Sequence, residues 1–189
     1  MPRASADARP VALTGMMAAG KSTVAAHLGR LLRRPVVSTD AEVERRAGKP
    51  IARIFAEEGE PAFRALEREV LAGLAGPAVV DLGGGAFCDA ETQARLLETA
   101  TVVFLDVSAA EAARRLGGGE GRPLAKRWEE LLAARLPLYR RAHHTLRVDG
   151  LAAEAVARRI AELLAAAPSA GSSASEVERE AGGAGEDSP

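Results

Sequence analysis

The sequence predicts an α/β fold, a parallel sheet covered by helices on both sides, in three layers. Short β-branched or apolar runs alternate along the chain with longer segments of helical period. Those runs also lack the every-second-residue polarity of a strand with one wet face, which points to burial on both faces. A third sign is the junction between the first run and the first helical segment. It reads Gly15-Met16-Met17-Ala18-Ala19-Gly20-Lys21-Ser22 and has the spacing of a phosphate-binding loop.

Taken in order, Val11–Thr14 is the first strand, and the glycine-bounded loop follows it. A helix comes next, its apolar residues Val24, Leu28, Leu31 and Leu32 repeating at helical spacing. Residues 35–37 form a second strand. Phe63, Leu66, Val70 and Leu74 mark a helix with Pro61 in its first turn, where a missing N–H costs nothing. Residues 78–82, 101–107 and 145–148 are further strands. An Ala-rich helix over 151–167 closes the domain, with Val156, Ile160, Leu163 and Leu164 as its apolar stripe. Aromatic residues are 3% of the chain, so the core is built from Leu, Val and Ala.

The 189 residues, 47% hydrophobic and 27% charged, suit one domain with a proper core. The boundaries read as 10–167, with disordered stretches over 1–9 and 168–189. The last 22 residues hold five acids (Glu176, Glu178, Glu180, Glu186, Asp187) and one base (Arg179), and Val177 is their only large apolar residue. Such a tail buries too little to offset its ordering entropy. Its −4 leaves the remainder at +3 against a total of −1, too mild for a nucleic-acid-binding face. No apolar run reaches membrane-spanning length, and MPRASADARP does not read as a secretory signal. The single Cys88 cannot form an internal disulfide, which fits a reducing, cytoplasmic setting. With one cysteine and adjacent His143 and His144 that cannot share a face, a zinc site is not expected. A cytosolic enzyme or small-ligand binder remains.

The loop matches G-x-x-x-x-G-K-[ST] at every fixed position. Its backbone N–H groups and the positive end of the following helix face phosphate oxygens. Lys21 adds a mobile charge at the β- and γ-phosphates, and the Ser22 hydroxyl is a ligand for Mg²⁺. ATP and Mg²⁺ are therefore the expected cofactors. The candidate nucleotide-binding set is Gly15, Ala18, Ala19, Gly20, Lys21, Ser22 and Thr23. The dinucleotide spacing G-x-G-x-x-G is absent here.

Further segments follow: TDAEVERRAGKPIARIFAEEGEPAFRALE at 39–67, LGGGAF at 82–87, RPL at 122–124 and RLPLYRRA at 135–142. With the loop, in this order and spacing, the chain resembles shikimate kinase over about residues 11–165. The resemblance implies a five-stranded sheet of order 2-3-1-4-5, as in the nucleoside-monophosphate-kinase group. It also implies transfer of the ATP γ-phosphate to the 3-hydroxyl of shikimate by a monomer. On this reading Arg64 and Arg135 clamp the substrate carboxylate, a task suited to the planar two-bond fork of a guanidinium. Asp40 binds the acceptor hydroxyls and takes a proton. Gly83, Gly84 and Gly85 bring backbone N–H groups against substrate and phosphate. Phe55, Phe63 and Glu67 line or support the pocket. Arg122, after the glycine-rich 117–121, lies in a lid of about 117–126 and reaches the phosphates on closure. Arg115 packs on the adenine, and Val148-Asp149-Gly150 falls where the family has its adenine loop. Taken singly, each arginine could be a solvated helix residue and Asp40 a helix N-cap; the order of the motifs raises them above that.

Two departures stand out. Ser38-Thr39-Asp40 replaces the usual Asp-x-Asp, and the first aspartate of that pair normally organises water around Mg²⁺. Its loss predicts weaker Mg²⁺ binding and slower turnover. The stretch between Arg122 and Arg135 is short, so the back half of the lid looks trimmed. Another small-molecule kinase, such as a gluconate kinase, and a catalytically impaired nucleotide-binding homologue stay open as alternatives.

Overall fold

The computed structural model describes residues 9–74, 76–116 and 123–166. Five strands form one sheet: β1 Val11–Thr14, β2 Val36–Ser38, β3 Val79–Asp81, β4 Thr101–Asp106 and β5 His144–Arg147. Their spatial order is β2-β3-β1-β4-β5 and every pairing is parallel. Helices α1 Lys21–Leu32, α2 Thr39–Ala47, α3 Ile51–Glu57, α4 Gly59–Ala72, α5 Ala90–Thr99, α6 Ala109–Arg115, α7 Pro123–Tyr139 and α8 Ala153–Ala166 lie on both sides of the sheet.

Burial follows strand position. Central β1 and β3 are buried throughout and β4 along all but its ends. The expectation of burial on both faces fails at the two edges. Strand β2 is half-exposed and β5 alternates, because an edge strand has one neighbouring strand and less helix above it. In α1 the inward stripe is Val24, Ala25, Leu28 and Gly29, whereas Leu31, placed in the stripe by its spacing, is 51% exposed. Leu74 lies beyond the end of α4 yet still packs on the main core.

That main core joins the three central strands to α1, α5 and α8 through Leu13, Val80, Val103, Leu28, Leu96 and Ile160. A separate small core holds α2, α3 and α4 together through Val43, Ile54, Phe63 and Val70. Helices α2 and α3 are too short and charged to announce themselves by periodicity. Ser38 rather than Asp40 caps α2, its hydroxyl accepting from the Ala41 N–H at 3.4 Å. Asp40 sits one turn-position inside the helix, and so is free to face the cavity described next.

Candidate active site

The C-terminal edge of the sheet, where parallel strands hand over to loops and helices, carries the site. Strand β1 ends in the phosphate-binding loop, and α1 begins at Lys21 behind Gly20, whose φ is 85°. The Lys21 ammonium folds onto its own loop, donating to the Gly15 and Met16 carbonyls at 2.9 and 3.2 Å. Burial draws its pKa down, and the negative charge of Asp81, then of Asp40, opposes that shift. Ala18 holds a left-handed backbone (φ 67°) that is rare for a residue with a Cβ.

Arg115, from α6, braces this loop from behind. Its guanidinium donates to the carbonyls of Ala18 (3.2 Å), Ala19 (3.3 Å) and Val148 (2.9 Å), while Glu111 accepts from its Nε at 2.7 Å. The same arginine thus touches the loop and the segment after β5. Asp149 in that segment is fixed by the Ser108 N–H at 2.8 Å.

Lys21, Ser22, Ser38, Asp40, Phe55, Phe63, Arg64, Glu67, Asp81, the three glycines 83–85 and Arg135 all line one cavity of about 370 Å³. A second space, of about 590 Å³, adjoins it at Arg64, Gly85 and Arg135. The glycines are required by close approach. A Cβ at Gly83 would overlap the Asp40 carboxylate, and one at Gly85 would stand 2.5 Å from the Arg64 guanidinium.

Arg64, on α4, is 18% exposed and held from two sides. Its Nη1 donates to Glu67 at 2.6 Å, and its Nε and Nη2 donate to Glu60 at 3.3 and 3.1 Å. Glu67 is 1% exposed and its second carboxylate oxygen has no partner among the described residues. Burial pushes its carboxyl upward against the pull of Arg64. Asp40 is also raised, first by burial and then by the like charge of Asp81, with Lys21 and Arg64 pulling it back. A carboxylate of raised pKa is the better proton acceptor.

Sequence reasoning missed three residues here. Thr39, fully buried, accepts from the Gly83 N–H at 2.8 Å and donates to the Asp81 carbonyl at 3.3 Å, so it clamps the glycine run to α2. Tyr139, also fully buried and stacked on Phe104, donates its hydroxyl to the Gly84 carbonyl, which Arg135 also meets at 3.2 Å. Asp81 ends β3 directly beside the glycines. A threonine next to a candidate base, and an acid inside an apolar strand, were the available signals. Arg122 and most of the expected lid, 117–122, lie outside the described residues, as do 1–8 and 167–189.

Comparison with known proteins matches the geometry. The family model for shikimate kinase matches residues 17–165. The chain is 49% identical to a shikimate kinase of Thermobifida fusca over 70% of this chain and 81% of that one. It is 40% identical to that of Rhodococcus jostii over 81% and 96%. Among solved structures, shikimate kinase from Acinetobacter baumannii in complex with shikimate superposes with a TM-score of 0.75 at 34% identity, covering 84% of this chain and 94% of that one. The enzyme from Bacteroides thetaiotaomicron gives 0.76 at 31% identity, covering 83% and 98%. A phosphate-binding loop, an arginine-lined cavity and relatives matched over most of their length lead to one assignment: the chain belongs to the shikimate kinase family.

Proposed function

We propose that the protein transfers the γ-phosphoryl group of ATP to the 3-hydroxyl of shikimate, giving shikimate 3-phosphate and ADP. The observation that carries this is one cavity lined by Lys21 and Ser22 of the phosphate-binding loop, by Asp40, and by the guanidinium groups of Arg64 and Arg135. The A. baumannii relative, solved with shikimate, supports this acceptor.

The chemistry is direct transfer. A bond forms between the acceptor oxygen and the γ-phosphorus, the bond from that phosphorus to the β–γ bridging oxygen breaks, and the hydroxyl proton passes to Asp40. Arg64 and Arg135 hold the carboxylate of shikimate and so set which hydroxyl faces the phosphate. Loop N–H groups and Lys21 meet the charge of the phosphates. Arg122 would close over them, and Arg115, besides bracing the loop, would lie against the adenine.

Magnesium is typical of such enzymes, and the donors here suit it. Ser22, Asp40 and Asp81 offer oxygen only, and they are few, as befits a cation that keeps waters and binds through nucleotide phosphates. Bound there, it would neutralise charge on the β- and γ-phosphates. We take the protein to act as a cytoplasmic monomer.

The test is ADP release by purified protein in a coupled assay with shikimate, with gluconate and with no acceptor. Shikimate-dependent release supports the reading. Equal release with gluconate would move the chain to another acceptor, and release without any acceptor would make it a nucleotide hydrolase.

A further inference from the structure

We propose that Asp81, at the end of β3, supplies the acid that positions the divalent cation and its water shell in this enzyme, the place left open by Ser38. The proposal rests on the magnesium-dependent reading above and identifies a positioning residue within it.

The register carries the argument. Strands β2 and β3 pair in parallel with Ser38 directly opposite Asp81. Opposed residues of a parallel pair point to the same face and stand about 5 Å apart. A carboxylate on 81 therefore serves the same volume that a carboxylate on 38 would. Ser38 is otherwise engaged, its hydroxyl capping α2, while both residues line the cavity that holds Lys21 and Ser22. Thr39 fixes the backbone of Asp81 through its carbonyl, which sets where the carboxylate sits.

Charge gives a second, independent reason. Asp81 is only 9% exposed, and among the described residues no lysine or arginine nitrogen comes within 4.0 Å of its carboxylate. Lys21 feels the Asp81 charge, but its ammonium is spent on the Gly15 and Met16 carbonyls. A buried carboxylate without a close counter-charge is costly, and such groups pair or bind metal. A mere counter-charge to Lys21 would be felt by nucleotide whether or not magnesium is present, which separates the two roles.

The experiment is calorimetric titration of ADP into the full-length protein, in EDTA and across a magnesium series, for wild type, Asp81→Asn and the exchange variant Ser38→Asp/Asp81→Ser. Wild type should bind ADP more tightly as magnesium rises. Asp81→Asn should need at least about 10-fold more magnesium for half of that tightening, the usual loss when a metal's supporting carboxylate is removed. Its ADP affinity in EDTA should stay near wild type, and the exchange variant should recover the wild-type magnesium midpoint. An unchanged midpoint in Asp81→Asn, or equal weakening with and without magnesium, overturns the proposal. Should Asp81→Asn fail to fold, the exchange variant decides: recovery supports the proposal and a 10-fold shift overturns it. Wild-type binding indifferent to magnesium would remove the metal reading as well, whereas a magnesium-dependent wild type matched by Asp81→Asn removes only the role of Asp81.

Discussion

Replacing Arg64 by alanine removes two different things, and the structure allows each to be sized. Toward substrate, a bidentate grip on a carboxylate comprises two charged hydrogen bonds of about 1.5–3 kcal/mol each. Part of that must be recovered from Glu60, which already accepts from the Arg64 Nε and Nη2 but is 63% exposed, so its pull is worth about 0–1 kcal/mol. The net loss is about 2–6 kcal/mol, or roughly 30- to 25,000-fold in kcat/KM for shikimate. The ATP requirement should hardly move. Toward stability, the change strands Glu67, 1% exposed and bonded to Arg64 at 2.6 Å. Breaking a buried pair costs up to about 3–5 kcal/mol, less here because Glu67 can take a proton. Its folded pKa already lies above the ordinary 4.5 and would rise further without Arg64. A raised carboxyl contributes stability that is present below 4.5 and lost as pH climbs through the folded value. The melting gap between variant and wild type should therefore widen from acid toward neutral pH. Coupled kinetics with each substrate varied, and melting curves across pH, read the two effects separately. Adding Glu67→Gln should restore melting and leave shikimate binding impaired. If Arg64→Ala raised only the ATP requirement, or if Glu67→Gln restored shikimate binding, the carboxylate clamp would be misassigned.

Lys21→Ala should abolish nearly all turnover and leave the circular dichroism spectrum intact, since the hydrogen bonds of its ammonium go to carbonyls of its own loop; substantial remaining activity would reject its role. Asp40→Asn should cost about 10²–10⁴-fold in kcat. Because burial and Asp81 raise Asp40 above 3.8, its charged form opposes folding, so stability falls as pH rises from there through the folded value. The asparagine variant should accordingly melt higher than wild type at pH 7, and a lower melting point would contradict that sign. Ala18→Gly relieves a left-handed alanine at about 1–2 kcal/mol, against about 0.5–1 kcal/mol of added unfolded-chain entropy, so melting should rise by up to about 6 °C; a fall would show the φ of 67° to be unstrained. Thr39→Val leaves the Gly83 N–H without its acceptor, at about 1–3 kcal/mol, and should lower melting by roughly 2–10 °C while Thr39→Ser recovers it.

How far the site could be read from sequence depended on whether its residues announce themselves by local spacing. The loop Gly15–Ser22 does so because its chemistry is made by consecutive backbone groups. Asp40, Arg64, the glycines 83–85 and Arg135 were reachable through the order of motifs, and the cavity unites all of them. Only half of the small core was legible: Phe63 and Val70 lie on the period of α4, whereas Val43 and Ile54 come from α2 and α3, which are too short to make a period of their own. Thr39 and Tyr139 act on glycine carbonyls and N–H groups far along the chain, so their bonds exist only once the fold has formed.

Asp81 is the most telling case. Read along the chain, Ser38 marks a lost charge and Asp81 an oddity inside an apolar strand, and neither explains the other across 42 intervening positions. Parallel pairing makes them neighbours on one face. A motif written on one strand can then be completed from the next, because what the chemistry requires is a carboxylate in a given volume. The departure at Ser38 accordingly weighs little as an argument for lost catalysis, since Asp40 and Asp81 still line the cavity with Lys21.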